Sequence, residues 1–297
     1  MIPSQAFRRL DLSLPRRMEK RVYTPQSNIR KPLTMVREMA VDIRKGNDLA
    51  KRLTIRDIKA LYRQSFLGIL WAFILPLANT LVWVFLNGSG IVSMGETDIP
   101  YPIYVFSGTM IWAIFMESMQ APIEKTTQNK SIISKVNFPR EALIVAGIYQ
   151  GLFNAAVKAV ILIAALAFMG YFGGWQLLLF PLGVLSLVFG GTAIGLMLTP
   201  LGMLYTDISK GIPLVMQFLM YTTPVVYAIP DEGLTADVIR NNPITPLIMV
   251  TRDWLTGMQT QFLEGFLWVN LFILGFLILM LVAYRLAMPI LVERMNA

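Results

Sequence analysis

Chemistry at a protein site needs a group that moves protons, attacks a substrate or holds a metal, and this 297-residue sequence is poor in all three. It has no cysteine and no histidine, so thiol chemistry, disulfides, His-ligated metals and a His general base are excluded. Carboxylates are scattered. The adjacent pair Asp231-Glu232 sits where a loop begins and reads as a solvated turn, and no acidic cluster has the spacing a hard cation requires. One stretch, Gly190 to Gly195, imitates a phosphate loop, but Leu196 and Met197 stand where Lys and Ser/Thr must be. Its Gly191-x-x-x-Gly195 spacing, like Gly147-x-x-x-Gly151, is instead that of close helix packing inside a membrane. We therefore expect no catalytic residue, no metal site and no cofactor in this chain.

What must position the remaining polar groups is a set of apolar helices. The sequence is 55% hydrophobic and 15% charged, with mean hydropathy +0.58, outside the range of ordinary soluble domains. A bilayer core of about 30 Å takes roughly 20 helical residues. Six stretches meet that length: 67–87, 99–116, 142–169, 175–205, 211–230 and 265–284. The Gly-Tyr-Phe-Gly-Gly run at 170–174 is the tight turn between the third and fourth. The expected fold is an all-α integral membrane protein with six transmembrane helices over residues 67–297.

Charge sets the orientation. Sixteen of the 26 Lys and Arg lie in residues 1–66, against six acidic residues. With the N-terminus inside, the inner segments carry 23 basic residues and the outer ones two, Arg240 and Arg252. The positive-inside rule then places both termini in the cytoplasm. Residues 1–32 form a basic arm lacking the apolar core of a signal peptide. Residues 33–66 read as amphipathic interface helices. The first carries Leu33, Val36, Met39, Ala40 and Ile43 on one face and ends at Gly46-Asn47. The second starts at Thr54, with Asp57 three residues on as its capping-box partner, and carries Ile55, Ile58, Tyr62, Phe66 and Ile69 on one side. Between spans five and six, residues 231–264 are too short to cross twice, and are expected to hold short re-entrant helices shielded by protein.

Within this frame a few residues stand out. Lys158 falls midway along span three, where a cation costs about 2.5–3.5 kcal/mol on insertion scales. It marks either a polar pathway or a lysine that snorkels toward the outer interface or pairs inside the bundle. Glu117, nearer the inner end of span two, is read at a different depth. Tyr62, Phe66 and Phe73 follow one helical stripe into span one, and Phe218, Tyr221 and Tyr227 line span five. Rings of this kind pack on the C–H faces of sugars, although core and interfacial-belt packing use the same residues. Arg56, Lys59 and Arg63 stand at the inner mouth. They suit phosphate groups as well as ordinary anchoring to the inner leaflet.

The run Arg56-Asp57-Ile58-Lys59-Ala60-Leu61-Tyr62-Arg63-Gln64-Ser65-Phe66-Leu67-Gly68-Ile69-Leu70-Trp71-Ala72, followed by Leu75-Pro76-Leu77, resembles the start of the first span in permeases of bacterial polysaccharide ABC exporters. Four further strings occur in the family's order: Asn137-Phe138-Pro139-Arg140-Glu141, Tyr205-Thr206-Asp207-Ile208, Thr223-Pro224-Val225-Val226-Tyr227, and Asn242-Pro243-Ile244-Thr245-Pro246 leading to Arg252-Asp253. The similarity runs from about residue 52 to the C-terminus. It departs at Thr206, where the family often carries Arg, and in a longer N-terminal arm.

The resemblance implies a homodimer in the bacterial inner membrane, bound to two copies of a separate ABC ATPase that supplies ATP and Mg chemistry. The cargo it implies is a lipid-linked polysaccharide such as O-antigen or capsule, with no nucleic acid involved. It further implies that Asn137, Phe138, Pro139, Arg140 and Glu141 couple to the ATPase. Two other functions fit less of the sequence. One is an ABC permease for a drug or small lipid; the other is a membrane glycosyltransferase acting on lipid-linked sugar, which would need a catalytic carboxylate or metal-binding acidic pair.

Overall fold

The structure, a computed structural model, describes residues 32–63, 65–92, 94–135, 139–171 and 173–296. The arm at 1–31, the side chain of Tyr62, and Asn137 and Phe138 fall outside the described residues. Ten α-helices make up the described fold: α1 (Pro32–Arg63), α2 (Trp71–Gly88), α3 (Tyr101–Gln128), α4 (Lys130–Lys135), α5 (Glu141–Phe168), α6 (Phe180–Leu204), α7 (Thr206–Met220), α8 (Leu234–Asn241), α9 (Ile244–Thr256) and α10 (Leu263–Asn296). No strand occurs among the described residues.

Among the described residues, four helical stretches are long and apolar enough to cross a bilayer: Gly68–Gly88, Glu141–Phe168, Phe180–Leu204 and Leu263–Arg294. Two of the six expected spans differ. Helix α3 matches α5 in length, but Tyr101, Tyr104, Ser107, Thr109, Glu117 and Ser118 lower its hydropathy. The stretch at 211–230 is not one helix. Helix α7 starts at Thr206 and stops after 15 residues, because Pro224 cannot continue it; residues 221–230 then run as turns and extended chain.

The centre of the bundle is α3 packed on α6, and glycine makes it close. A Cβ on Gly191 would lie 2.4 Å from the Phe115 carbonyl, and one on Gly195 would lie 2.1 Å from that of Met119. Gly147 meets Ala121 and Pro122 of α3 in the same way, and Gly151 meets Ser118. The GxxxG spacings are therefore helix contacts, as expected, and not a phosphate loop. Outside this centre, α2 and α10 show apolar faces, including Leu81, Val82 and Phe85 on one and Leu267, Leu271 and Phe272 on the other. Faces of that size require lipid or protein against them. At the two ends of the predicted turn, Gly170 and Gly174 have positive φ (78° and 56°), a conformation that favours glycine.

The N-terminal region differs from the two-helix expectation. Helix α1 runs unbroken through Gly46-Asn47, and Thr54 caps nothing: its hydroxyl donates to the Ala50 carbonyl (2.9 Å) and lies 3.2 Å from that of Ala146 on α5. The buried face is also not the expected aliphatic one. It consists of Met39, Asp42, Gly46, Ala50 and Thr54, while Val36, Ala40, Val41 and Ile55 are exposed. Close approach explains this. A Cβ on Gly46 would sit 3.0 Å from the Ala142 Cβ, so small residues face α5 and bulky aliphatics turn outward. Helix α1 ends at Arg63, and a 3-10 turn (Gly68–Leu70) precedes α2. That break leaves Phe66 outside both helices and Phe73 on α2, so these two do not share one helical stripe.

Candidate functional site

Three groups of polar side chains sit at different heights in the bundle. In the middle, Lys158 of α5 is buried, and its Nζ donates to both carboxylate oxygens of Glu117 on α3, each at 2.7 Å. The two residues therefore lie at one depth, contrary to the sequence reading. Antiparallel packing of α3 and α5 about the Gly147 and Gly151 contacts sets that depth, because Gly151 lies against Ser118, next to Glu117. The Glu117 side chain is 37% exposed and that of Lys158 is 5% exposed. The pair thus offers its acidic half to the outside of the protomer and hides its basic half.

At the end of the bundle where α1 crosses, two ion clusters join the helices. Asp57 receives hydrogen bonds from Arg56 (2.7 Å) and from buried Lys125 of α3. Burial acts to raise the Asp57 pKa, but hydrogen bonds and charge from Arg56 and Lys125 outweigh it and hold the carboxyl below its ordinary 3.8. The second cluster centres on Arg285 of α10. Its guanidinium donates to Glu141 at the start of α5 and to Asp42 of α1, both at 2.9 Å, with Glu38 at 3.8 Å. Tyr149 of α5 completes the seam by donating to the Asn47 side chain (2.6 Å). Arg56, Lys59 and Arg63 are all exposed on α1. Pro139 and Arg140 are half-buried, whereas Glu141 is buried and engaged by Arg285.

At the opposite end, α9 is buried along most of its length, including Arg252 and Asp253. Arg252 is 2% exposed. It donates to the Pro224 carbonyl (2.7 Å) and the Val225 carbonyl (3.2 Å), and its guanidinium lies 3.7 Å from the centre of the Tyr104 ring. The Tyr104 hydroxyl in turn donates to the Tyr227 carbonyl (2.9 Å) and lies 3.1 Å from that of Pro224. The turn that follows α7 is thus clamped by a cation, an aromatic ring and their donors. The aromatic candidates separate. Phe218 and Tyr221 are exposed, with Tyr221 edge-on to Trp83 of α2 (6.1 Å). Tyr227 is half-buried and donates to the Tyr221 carbonyl (2.6 Å). Phe73 packs edge-on against Phe106 (5.8 Å), and Phe66 is fully exposed.

Sequence reasoning singled out neither Arg285 nor Asp42. The available signal was Asp42 itself, which lies at helical spacing between Met39 and Gly46, where the buried stripe runs. Arg252-Asp253 was noticed only as a string, without its clamp.

Residues 49–253 match the ABC-2 type transporter family, and the chain belongs to it. It is 27% identical over 215 residues to the O-antigen export system permease protein RfbA of Myxococcus xanthus, an alignment covering 71% of this chain and 79% of that protein. A protein of the same name from Klebsiella pneumoniae is 25% identical over 240 residues, covering 76% and 88%. The polysialic acid transport protein KpsM of Escherichia coli is 21% identical over 231 residues, covering 74% and 88%.

Proposed function

We propose that this chain is the membrane-spanning permease subunit of an ATP-driven exporter that moves lipid-linked surface polysaccharide across a bacterial inner membrane. The observation that carries the reading is family membership over residues 49–253 combined with similarity to O-antigen and polysialic acid permeases over about three-quarters of the chain. In this reading α2, α3, α5, α6, α7 with the 221–230 segment, and α10 make six crossings. Both termini lie in the cytoplasm, and α8 and α9 re-enter from the outer face. A buried, internally bonded Arg252 supports the last point, since backbone and charge at membrane depth must be satisfied by protein.

Two copies of the chain form the conduit, and two copies of a separate ABC ATPase drive it. ATP and Mg act on that subunit, and this chain contributes no catalytic residue. The segment 137–141 receives the push. Asn137, Phe138, Pro139 and Arg140 supply the contact, and Glu141 passes the movement through Arg285 to α10 and α1. Arg56, Lys59 and Arg63 hold the lipid-linked phosphate at the inner mouth. Tyr62, Phe66, Phe73, Phe218, Tyr221 and Tyr227 give the sugar chain apolar ring faces, and Lys158 with Glu117 forms the polar point midway.

Deletion of the gene tests the reading. Surface polysaccharide should disappear while its lipid-linked form accumulates inside, and the plasmid-borne chain should restore export. Normal surface polysaccharide in the deletion strain would refute it. A drug-exporter reading predicts a changed drug sensitivity with unchanged surface polysaccharide.

A further inference from the structure

Helix α3 is covered on most sides, and past Met116 what remains uncovered is polar. Towards its C-terminal end the uncovered strip holds Glu117, Gln120, Glu124 and Gln128, with Glu124 and Gln128 exposed. The uncovered faces of α2 and α10, by contrast, carry Leu, Val and Phe. The strip lies past the expected span 99–116, at the inner end in the proposed topology, where it faces water or a solute that makes hydrogen bonds. Gln120, Glu124 and Gln128 are four residues apart, so they repeat roughly every 6 Å along one helix face, close to the advance of one sugar ring along a glycan. Together with Ser209, Ile212 and Pro213 of α7 they wall a cleft of about 190 Å3. The hydroxyl oxygen of Thr127, also in the wall, is buried without a hydrogen-bond partner. The lining therefore combines amides, a carboxylate and hydroxyls with an apolar wall, which suits a molecule with hydroxyl edges and C–H faces. It contains one carboxylate and no cation. The adjacent Lys125 is bonded to Asp57 of α1, which fixes the cleft at the level of Arg56 and Lys59.

We infer that the α3–α7 cleft is a sugar-binding subsite at the inner mouth, taking the first uncharged, hydroxyl-rich rings of the glycan whose lipid phosphate rests on the α1 cations. This deepens the exporter reading and rests on it. The chain has no native cysteine, so single variants Gln120→Cys and Gln128→Cys, with Lys51→Cys on exposed α1 as control, can be labelled without background. The full transporter with its ATPase is expressed in two hosts, one making the lipid-linked glycan and one lacking its first glycosyltransferase. Inverted membrane vesicles are then treated with a charged, impermeant maleimide, and ATPase co-purification checks that each variant is folded.

Both cleft cysteines should label in glycan-free membranes and react about ten-fold more slowly with glycan present, the free fraction left at a site nine-tenths occupied by mass action. The Lys51→Cys control should not change. Equal rates in the two membranes while export proceeds would overturn the subsite and leave the exporter reading standing. Cleft cysteines that stay unlabelled in both would also overturn it, showing the cleft closed by protein such as the second copy. Unaltered surface polysaccharide on deleting the gene would bring down the exporter reading and the subsite with it.

Discussion

A lysine buried in a membrane bundle is tolerated only with a partner, and Lys158 has one in Glu117. Breaking a buried pair on one side costs about 3–5 kcal/mol. Solvent screening lowers that figure here, because the Glu117 side chain is more than a third exposed. Lys158→Met should therefore reduce both transport and the amount of folded protein. The double variant Lys158→Met/Glu117→Gln should recover folded protein relative to the single change, with a coupling of about 0.5–3 kcal/mol. Fluorescence-detected size exclusion and surface polysaccharide report the two quantities. Recovered folding without recovered export would assign Lys158 to the pathway, and recovery of both would assign it to structure. Asp57 gives a pH prediction. Its folded pKa is held below 3.8, so its ion pairs stabilise the fold above that value, and the contribution is lost as pH falls through the lower folded pKa. In detergent, Asp57→Asn should melt below wild type at neutral pH, and the gap should close under acid. A gap that widens under acid would contradict the assignment. Sequence reading found Lys158 as a costly charge, yet missed its partner, because depth along a helix depends on which residues of two helices meet, and here glycine contacts decide that.

Helices were legible where length and hydropathy suffice. The spans corresponding to α2, α5, α6 and α10 follow from composition alone. Helix α1 was harder, since its aliphatic residues suggested a buried face and its glycine a stop. The structure reverses both, because a helix lying close against α5 selects Gly46, Ala50 and Thr54 for contact. Gly46→Leu should accordingly separate α1 from α5 and destabilise the protein by about 1–3 kcal/mol, the usual cost of overpacking, with Gly46→Ala milder. Thermal melting in detergent measures this, and a Gly46→Leu protein as stable as wild type would contradict the packing. Gly195→Leu, aimed at the Met119 carbonyl, should fail to accumulate. The break in span five escaped the sequence reading because residues 211–230 are uncharged throughout. Only Pro224 signalled that the helix stops. Reporter fusions after residues 175, 238 and 297 test the proposed crossings: the first two should report outside and the last inside. A C-terminal fusion reporting outside would remove one crossing.

For the whole molecule, two properties act together. The described chain has a glycine-tight centre of α3 and α6, and ion clusters tie α1, α5 and α10 into one end of it. A rigid body of that kind suits a subunit moved by another protein. The sequence reading proposed a transport subunit from an apolar body, and membership of the ABC-2 type transporter family over residues 49–253 supports transport. The most direct measurement places purified chain and its co-purified ATPase in liposomes with lipid-linked glycan and follows the glycan across the bilayer. The account predicts ATP-dependent movement with both subunits present, and none with either alone. Movement driven without the ATPase, or glycosidic bonds formed by the chain by itself, would contradict it.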